Sequence, residues 1–213
     1  MSTKKKLIVA VACLLVATCS LVTGTLAWLT TKTETVTNTF TSSDINITLA
    51  ESNSNLDTDD NANTNSYKMI PGATIDKDPE VTVLANSEDC YLFVKIDETP
   101  NGWENYIGVT LADNTTATFK SYISYDLADG WTALEDVPGV YYRTVAASDN
   151  DQSFDVLKDN KVTVSGANVT KGMMEALHED GVTLPTLQFT AYAVQQFGFN
   201  TAAEAWAEAE KLG

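Results

Sequence analysis

Short runs of Thr, Val, Ile, Tyr and Phe, each parted from the next by Asn, Asp, Gly or Ser, recur from residue 38 to residue 196. β-Branched and aromatic side chains suit a pleated, half-buried surface, and the clustered turn residues stop each run before a helix accumulates. The pattern predicts strands over 38–41, 44–51, 79–85, 89–98, 106–111, 117–126, 139–147, 152–157, 161–165 and 185–196. Two of them alternate cleanly at the two-residue period that sends successive side chains to opposite faces. Phe119, Ser121, Ile123 and Tyr125 oppose Lys120, Tyr122, Ser124 and Asp126, and Leu187, Phe189, Ala191 and Ala193 oppose Gln188, Thr190, Tyr192 and Val194. Many short strands with turns between them specify a mainly β chain of sandwich type. Two short helices accompany it: Val169, Met173 and Leu177 recur at four-residue spacing in a segment ended by Gly181, and Thr201-Ala202-Ala203-Glu204 is a capping box opening a C-terminal helix that carries Trp206.

The N-terminus has a different grammar. Lys4, Lys5 and Lys6 precede 16 uncharged residues, 7–22, and then the small-residue run Thr23-Gly24-Thr25-Leu26-Ala27. This is the order of a secretory signal peptide, and the apolar stretch is short of the roughly 20 residues a spanning helix needs. Thr25 and Ala27 place small side chains at −3 and −1, so cleavage is expected after Ala27, with Trp28 as the new N-terminus. An uncleaved anchor helix reaching Leu29 is the alternative. Contact with the membrane is expected only through this leader before cleavage. Removal leaves 10 Lys+Arg against 29 Asp+Glu, a charge of −19. A surface that acidic repels phosphate backbones and anionic headgroups, which excludes nucleic acid as a partner.

Export also fixes the meaning of the thiols. Cys90 is the only cysteine beyond the leader, so no intramolecular disulfide is available. It shares one face with Leu92, Val94 and Ile96, the environment of a buried structural thiol. Residues 52–66 hold one large apolar side chain, Leu56, and are expected to form a mobile surface loop. Its Asp57, Asp59 and Asp60 invite a calcium reading, but an EF-hand loop begun at Asp57 needs Gly at 62 and Glu at 68, where the chain has Ala62 and Lys68. No cofactor is expected; weak Ca²⁺ binding by this oxygen-rich loop is the one exception.

From residue 28 to 41, seven of fourteen residues are Thr, with Thr31, Thr33, Thr35, Thr37 and Thr39 on one face of an extended chain and Val36 and Phe40 on the other. Such a segment favours extended structure yet buries too little to fold alone, so it must pair with a sheet edge, in its own subunit or in another. Further on, Pro71-Gly72 is a type II turn signal, because Pro presets φ at the first central position and Gly accepts positive φ at the second. Lys77-Asp78-Pro79 opens a strand at the place where a missing N–H costs no ladder bond.

The run Gly24-Thr25-Leu26-Ala27-Trp28-Leu29-Thr30, then Asn38-Thr39-Phe40-Thr41 and Ile45-Asn46-Ile47-Thr48-Leu49, then Ile70-Pro71-Gly72-Ala73-Thr74-Ile75-Asp76-Lys77-Asp78-Pro79-Glu80-Val81, resembles the TasA and camelysin family. The strands 90–96 and 187–195 match it too, while 99–165 is less telling. The resemblance implies export by a SipW-type signal peptidase of Gram-positive bacteria. It implies a jelly-roll-like antiparallel β-sandwich and a place outside the cell, secreted, in matrix or at the cell surface. It further implies self-assembly, or assembly with related matrix subunits, into biofilm fibres, with the freed N-terminal segment adding a strand to the next subunit. The expected organisation is then a signal peptide at 1–27, an assembly segment at 28–41 whose Thr31, Thr33, Val36 and Phe40 carry the contact, a sandwich domain at 42–197 and a C-terminal helix at 198–213.

Some relatives carry a metalloprotease label, but a zincin needs two His one helical turn apart, and His178 is the only His in the chain. It is expected to neighbour a helix C-terminus, where the dipole favours its charged form. No Gly-x-Ser-x-Gly turn marks a serine nucleophile, so no catalytic residue is expected. The competing class is a glycan-binding module, with Trp103 and Tyr106, or Trp131 with Tyr141 and Tyr142, as aromatic platforms.

Overall fold

The computed structural model describes residues 30–33, 45–51 and 65–212. The signal-peptide residues with Thr25, Ala27 and Trp28, the strand expected over 38–41, the assembly residues Val36 and Phe40, and Asp57, Asp59 and Asp60 lie outside them.

Eleven strands are present among the described residues: β1 (Thr30–Thr33), β2 (Ile47–Ala50), β3 (Thr74–Asp76), β4 (Glu80–Val83), β5 (Cys90–Thr99), β6 (Ile123–Ser124), β7 (Thr132–Ala133), β8 (Val140–Val145), β9 (Gln152–Asp155), β10 (Lys161–Val164) and β11 (Thr186–Gln195). All pairings between them are antiparallel. One layer is a five-stranded sheet in the order β1-β11-β5-β8-β7. The other is made of two three-stranded sheets, β2-β4-β9 and β3-β10-β6. Alternate residues of β5 and β11, from Cys90, Leu92, Val94 and Ile96 to Phe189, Ala191 and Ala193, share one buried cluster with Ile47, Leu49, Val81, Val83, Val162 and Val164. Two inner faces meeting in this way make a β-sandwich. Consecutive strands lie in different layers at β1 and β2, β4 and β5, β5 and β6, β6 and β7, β8 and β9, and β10 and β11, and β1 and β11 are neighbours.

The second layer is one sheet interrupted at its middle. Glu80 pairs with Asp155 and Asp76 with Lys161, so residues 77–79 on one strand face 156–160 on the other. The surplus is absorbed by Asp159 and Asn160, both at φ +54, in a wide bulge. Lys77-Asp78-Pro79 fills the short side: Lys77 N–H donates to Asn160 O at 2.9 Å, and the Pro79 carbonyl accepts from Val156 N–H at 2.9 Å. Pro sits where its absent donor is not needed, one residue before β4.

The outer face of the five-stranded sheet is also covered. Phe93, Val140, Tyr192 and Val194 pack against Ala202, Ala205, Trp206 and Ala209 of the C-terminal helix, and Trp206 lies 5.3 Å from the Phe93 ring and 5.1 Å from the Tyr192 ring. That helix, Ala202–Ala209, starts as expected: Thr201 Oγ1 accepts from Glu204 N–H at 3.2 Å, and Glu204 reaches back to Asn200 N–H at 2.7 Å.

Three expectations need correction. Residues 117–126 are not one strand: Phe119–Tyr122 forms a single helical turn, α1, before β6. Phe119 and Tyr122 are both buried, three residues apart, and Thr118 N–H donates to Ser121 Oγ at 2.9 Å, so the polar residue that simulated alternation is a cap. Residues 106–111 form no strand; a 3-10 turn at Glu104–Tyr106 and the left-handed Gly108 and Asn114 leave only a Thr110–Thr116 bridge. The helix expected over 169–180 is confined to α2 (Lys171–Ala176), although Val169, Met173 and Leu177 are all buried as their spacing required. The short β3 and β7 carried no sequence signal. The Ala202–Ala209 helix is α3.

Candidate functional site

Two halves of β11 have different neighbours. Its last half is paired on both sides: β5 on one, and β1 on the other, with Thr30 opposite Val194, Thr31 opposite Ala193, Lys32 opposite Tyr192 and Thr33 opposite Ala191. The β-prone N-terminal segment thus meets a sheet edge in its own subunit, as an edge strand of four residues. Along residues 186–190 only β5 is paired to β11, and no other described strand covers the outer edge.

Beside that edge the described residues leave the sandwich open. A cavity of about 330 Å³ lies between β11 and β3, walled by Met69, Ile75, Phe119, Val162, Leu187 and Phe189 among others. Between two of its wall residues, Met69 and Ile75, lies the predicted turn: Ala73 N–H donates to Ile70 O at 2.9 Å across Pro71-Gly72, and Gly72 has φ +84. This is the type II geometry the dipeptide was expected to adopt.

The polar end of the cavity is built from three segments remote in sequence. Glu51, just after β2, accepts from Lys77 Nζ at 2.7 Å through Oε1, and from Asn65 Nδ2 at 2.8 Å and the Tyr67 hydroxyl at 3.4 Å through Oε2. The Lys77 and Glu51 side chains are only 11% and 17% exposed. The Lys77 ammonium also lies 5.2 Å from the Phe189 ring centroid and 5.3 Å from that of Tyr67, within cation–π range. Burial, with the Glu51 carboxylate next to it, pushes the Tyr67 hydroxyl well above its ordinary value, so it stays protonated and a donor. Of these residues the sequence had singled out Lys77 alone, as part of a turn motif. Glu51, Asn65 and Tyr67 were missed, because nothing periodic marks a strand end or the residues that follow a polar loop.

The remaining candidates are dispersed. His178 is exposed at the end of the α2 segment, with Nδ1 2.7 Å from the Met174 carbonyl, the helix-end position expected of it. Among the described residues no group of three or more His, Cys, Asp or Glu side chains is placed to hold a metal ion. Trp103 is fully buried and donates through its indole nitrogen to Met173 O at 3.3 Å, so it offers no platform to a glycan. Trp131 is tied by its indole N–H to Asp155 O at 2.8 Å, with the Arg143 guanidinium 5.4 Å from its ring and 3.9 Å from that of Phe154. Cys90 is buried in the sandwich core, and burial together with neighbouring Asp89 pushes its thiol up to about 12. Among the described residues no helix is long and apolar enough to cross a membrane.

No known protein family, curated protein or solved structure matches this chain. The resemblance to the TasA and camelysin proteins therefore rests on its sequence elements alone.

Proposed function

We infer that the protein is an exported structural subunit, without enzymatic activity, that assembles into extracellular or cell-surface fibres by lending its N-terminal segment to a neighbouring copy. The observation that carries this reading is the half-covered edge of β11. Four residues of β1 occupy one half, and along the other half no described strand takes up the main-chain donors and acceptors, which lie next to a largely apolar cavity. An extended segment of another subunit satisfies such an edge by main-chain hydrogen bonds, and side chains on alternate positions fill the pocket. Release of β1 into a neighbour frees the whole ten-residue edge for the next copy, and this head-to-tail use of one segment per subunit grows a filament.

The sequence of the segment specifies a register. Continuing the β1 register would set Thr35 and Thr37 opposite Phe189 and Leu187. A shift of one residue instead sets Val36, Asn38 and Phe40 opposite Phe189, Leu187 and Pro185, all three of which line the cavity. Because the side-chain period is two, that single step exchanges a threonine face for the one that carries Val36 and Phe40, with Asn38 between them. The incoming strand takes the shifted register.

The test compares the chain begun at Trp28 with one begun at Asn38 and with one carrying a bulky fusion before Trp28, by electron microscopy and light scattering. Filaments are expected from the first alone. Added salt should promote them, because the strongly negative subunits repel over a Debye length of about 8 Å at physiological ionic strength. Equal polymerisation by the chain begun at Asn38 would show that the N-terminal strand is not the connector.

A further inference from the structure

Glu51 holds an amine and a carboxamide on the two oxygens of one carboxylate: Lys77 Nζ at 2.7 Å on Oε1 and Asn65 Nδ2 at 2.8 Å on Oε2. We propose that this is a self-crosslinking site, at which the Lys77 side chain displaces ammonia from Asn65 to form an isopeptide bond, with Glu51 carrying the protons. Three observations converge on it. Nucleophile and electrophile are neighbours only because Glu51 bridges them, and the general acid–base group is the bridge itself. The surroundings are apolar and aromatic, with Phe189 and Tyr67 flanking the ammonium and Met69 and Ile75 in the same wall. And Asn65 Oδ1 is buried with no hydrogen-bond partner among the described residues.

The chemistry closes without a further reagent. Lys77 passes one of its three Nζ protons across the 2.7 Å contact to Glu51, and the neutral amine attacks Asn65 Cγ. Once protonated, Glu51 has a hydrogen to donate. A half-turn of the carboxamide brings the orphaned Oδ1 to it, which polarises the carbonyl and steadies the oxyanion of the tetrahedral intermediate. A second Nζ proton moves to Nδ2, the Cγ–Nδ2 bond breaks, and ammonia leaves through the open side of the cavity. It carries off the proton held by Glu51 and becomes ammonium. The Nζ–Cγ bond is formed with one hydrogen left on Nζ, which still faces Glu51, and the carboxylate is regenerated. One positive charge leaves the protein, and the segment at 65–69 is tied covalently to the lip of the cavity.

The experiment is mass spectrometry of the folded, secreted protein, intact and after trypsin. The expected mass falls below that of its sequence by one ammonia. The expected digest contains peptide 33–68 joined to peptide 69–95, with the latter uncut at Lys77. Lys77→Arg and Glu51→Gln should lose the branched peptide. Asn65→Asp should regain it with loss of water in place of ammonia, since the carboxylic acid is then the acceptor. Cyclisation of an asparagine also releases ammonia, so a lighter protein whose digest is wholly linear overturns the proposal. So does a protein of unchanged mass that yields a free Lys77 cleavage after prolonged incubation in the folded state. Both negative outcomes are read on the parent chain and do not depend on whether a variant folds.

Discussion

The two halves of β11 are one strand built in two ways. Residues 191–194 are paired on both edges and buried on both faces, between the sandwich core and helix α3. Residues 186–190 are paired on one edge alone among the described residues and border a cavity of about 330 Å³. The closed half rests on Ala191 and Ala193, small enough to let the second layer approach, with Tyr192 and Val194 under Trp206. The open half carries Leu187 and Phe189, whose bulk lines a space the described residues do not fill. The closed half is packed on both faces, whereas the open half borders the cavity at whose polar end Lys77, Glu51 and Asn65 gather.

The largest effect expected from breaking this contrast is in the closed half. Trp206→Ala removes the ring that seals Phe93 and Tyr192 and should cost about 3–5 kcal/mol in chemical denaturation. An unchanged denaturation midpoint would mean that α3 is an ornament on the sheet and that the closed half does not depend on it.

Cys90, opposite Gln195 at the far end of that half, reports its integrity through pH. Its thiol is raised from 9.0 to about 12 by burial first and by Asp89 second. Between those values the unfolded chain has lost the proton that the folded chain keeps, so stability must fall as pH rises from 9 towards 12. The loss should reach at most about 4 kcal/mol, at 1.36 kcal/mol per unit of displacement. Half-buried Tyr67 and buried Tyr125 act in the same direction, which makes Cys90→Ala the necessary comparison. Its denaturation curve should lose part of the alkaline decline and keep the rest. A decline identical in both proteins would show that the thiol is hydrated.

A matched pair of substitutions sharpens the comparison further. Val162→Leu adds volume at the cavity wall and should gain about 0.5–2 kcal/mol, as cavity filling commonly does. Val194→Leu, at a position with no exposed surface under α3, should lose about 1–3 kcal/mol by overpacking. Like signs in thermal denaturation would erase the distinction between the halves.

The mainly β sandwich was legible because its signals are local. Alternation placed Cys90, Leu92, Val94 and Ile96 on the core face, and the capping box placed α3. The misreadings arose where local signals are degenerate: four residues with Phe119 and Tyr122 inward satisfy a helical turn, and only the Thr118–Ser121 contact reveals it. Strands β3 and β7, three and two residues long, are too brief to hold a period at all. The cavity was illegible for another reason. Glu51, Asn65 and Lys77 converge through a bulge of 77–79 against 156–160, and register between distant strands has no signature in either strand alone. One weak sign existed: Lys77 stands between Asp76 and Asp78, yet it is the residue that turns inward. The N-terminal segment was readable as β-prone, and its residues 30–33 do take a sheet edge; which subunit's edge serves in assembly is a question of the register proposed above.

The smallest expected effect lies at the Pro71-Gly72 turn, between the cavity-wall residues Met69 and Ile75. Gly72 has φ +84, a region where an L side chain is strained, while a Cβ there would meet only Gly166 Cα at 3.9 Å, an ordinary contact. The cost of Gly72→Ala is therefore conformational and not steric, about 1–2 kcal/mol. Gly139→Ala is the informative contrast, since its Cβ would fall 2.7 Å from Ile96 O in the backbone of β5, at a φ of +78, and must move the sheet as well. Thermal denaturation should rank Gly139→Ala as clearly worse than Gly72→Ala. If the order is reversed, the Pro71-Gly72 turn does more than set φ. Its close approach to Gly166, where a Cβ added to that residue would lie 3.1 Å from Gly72 Cα, would then be what fixes β3 beside β10 and holds the cavity open.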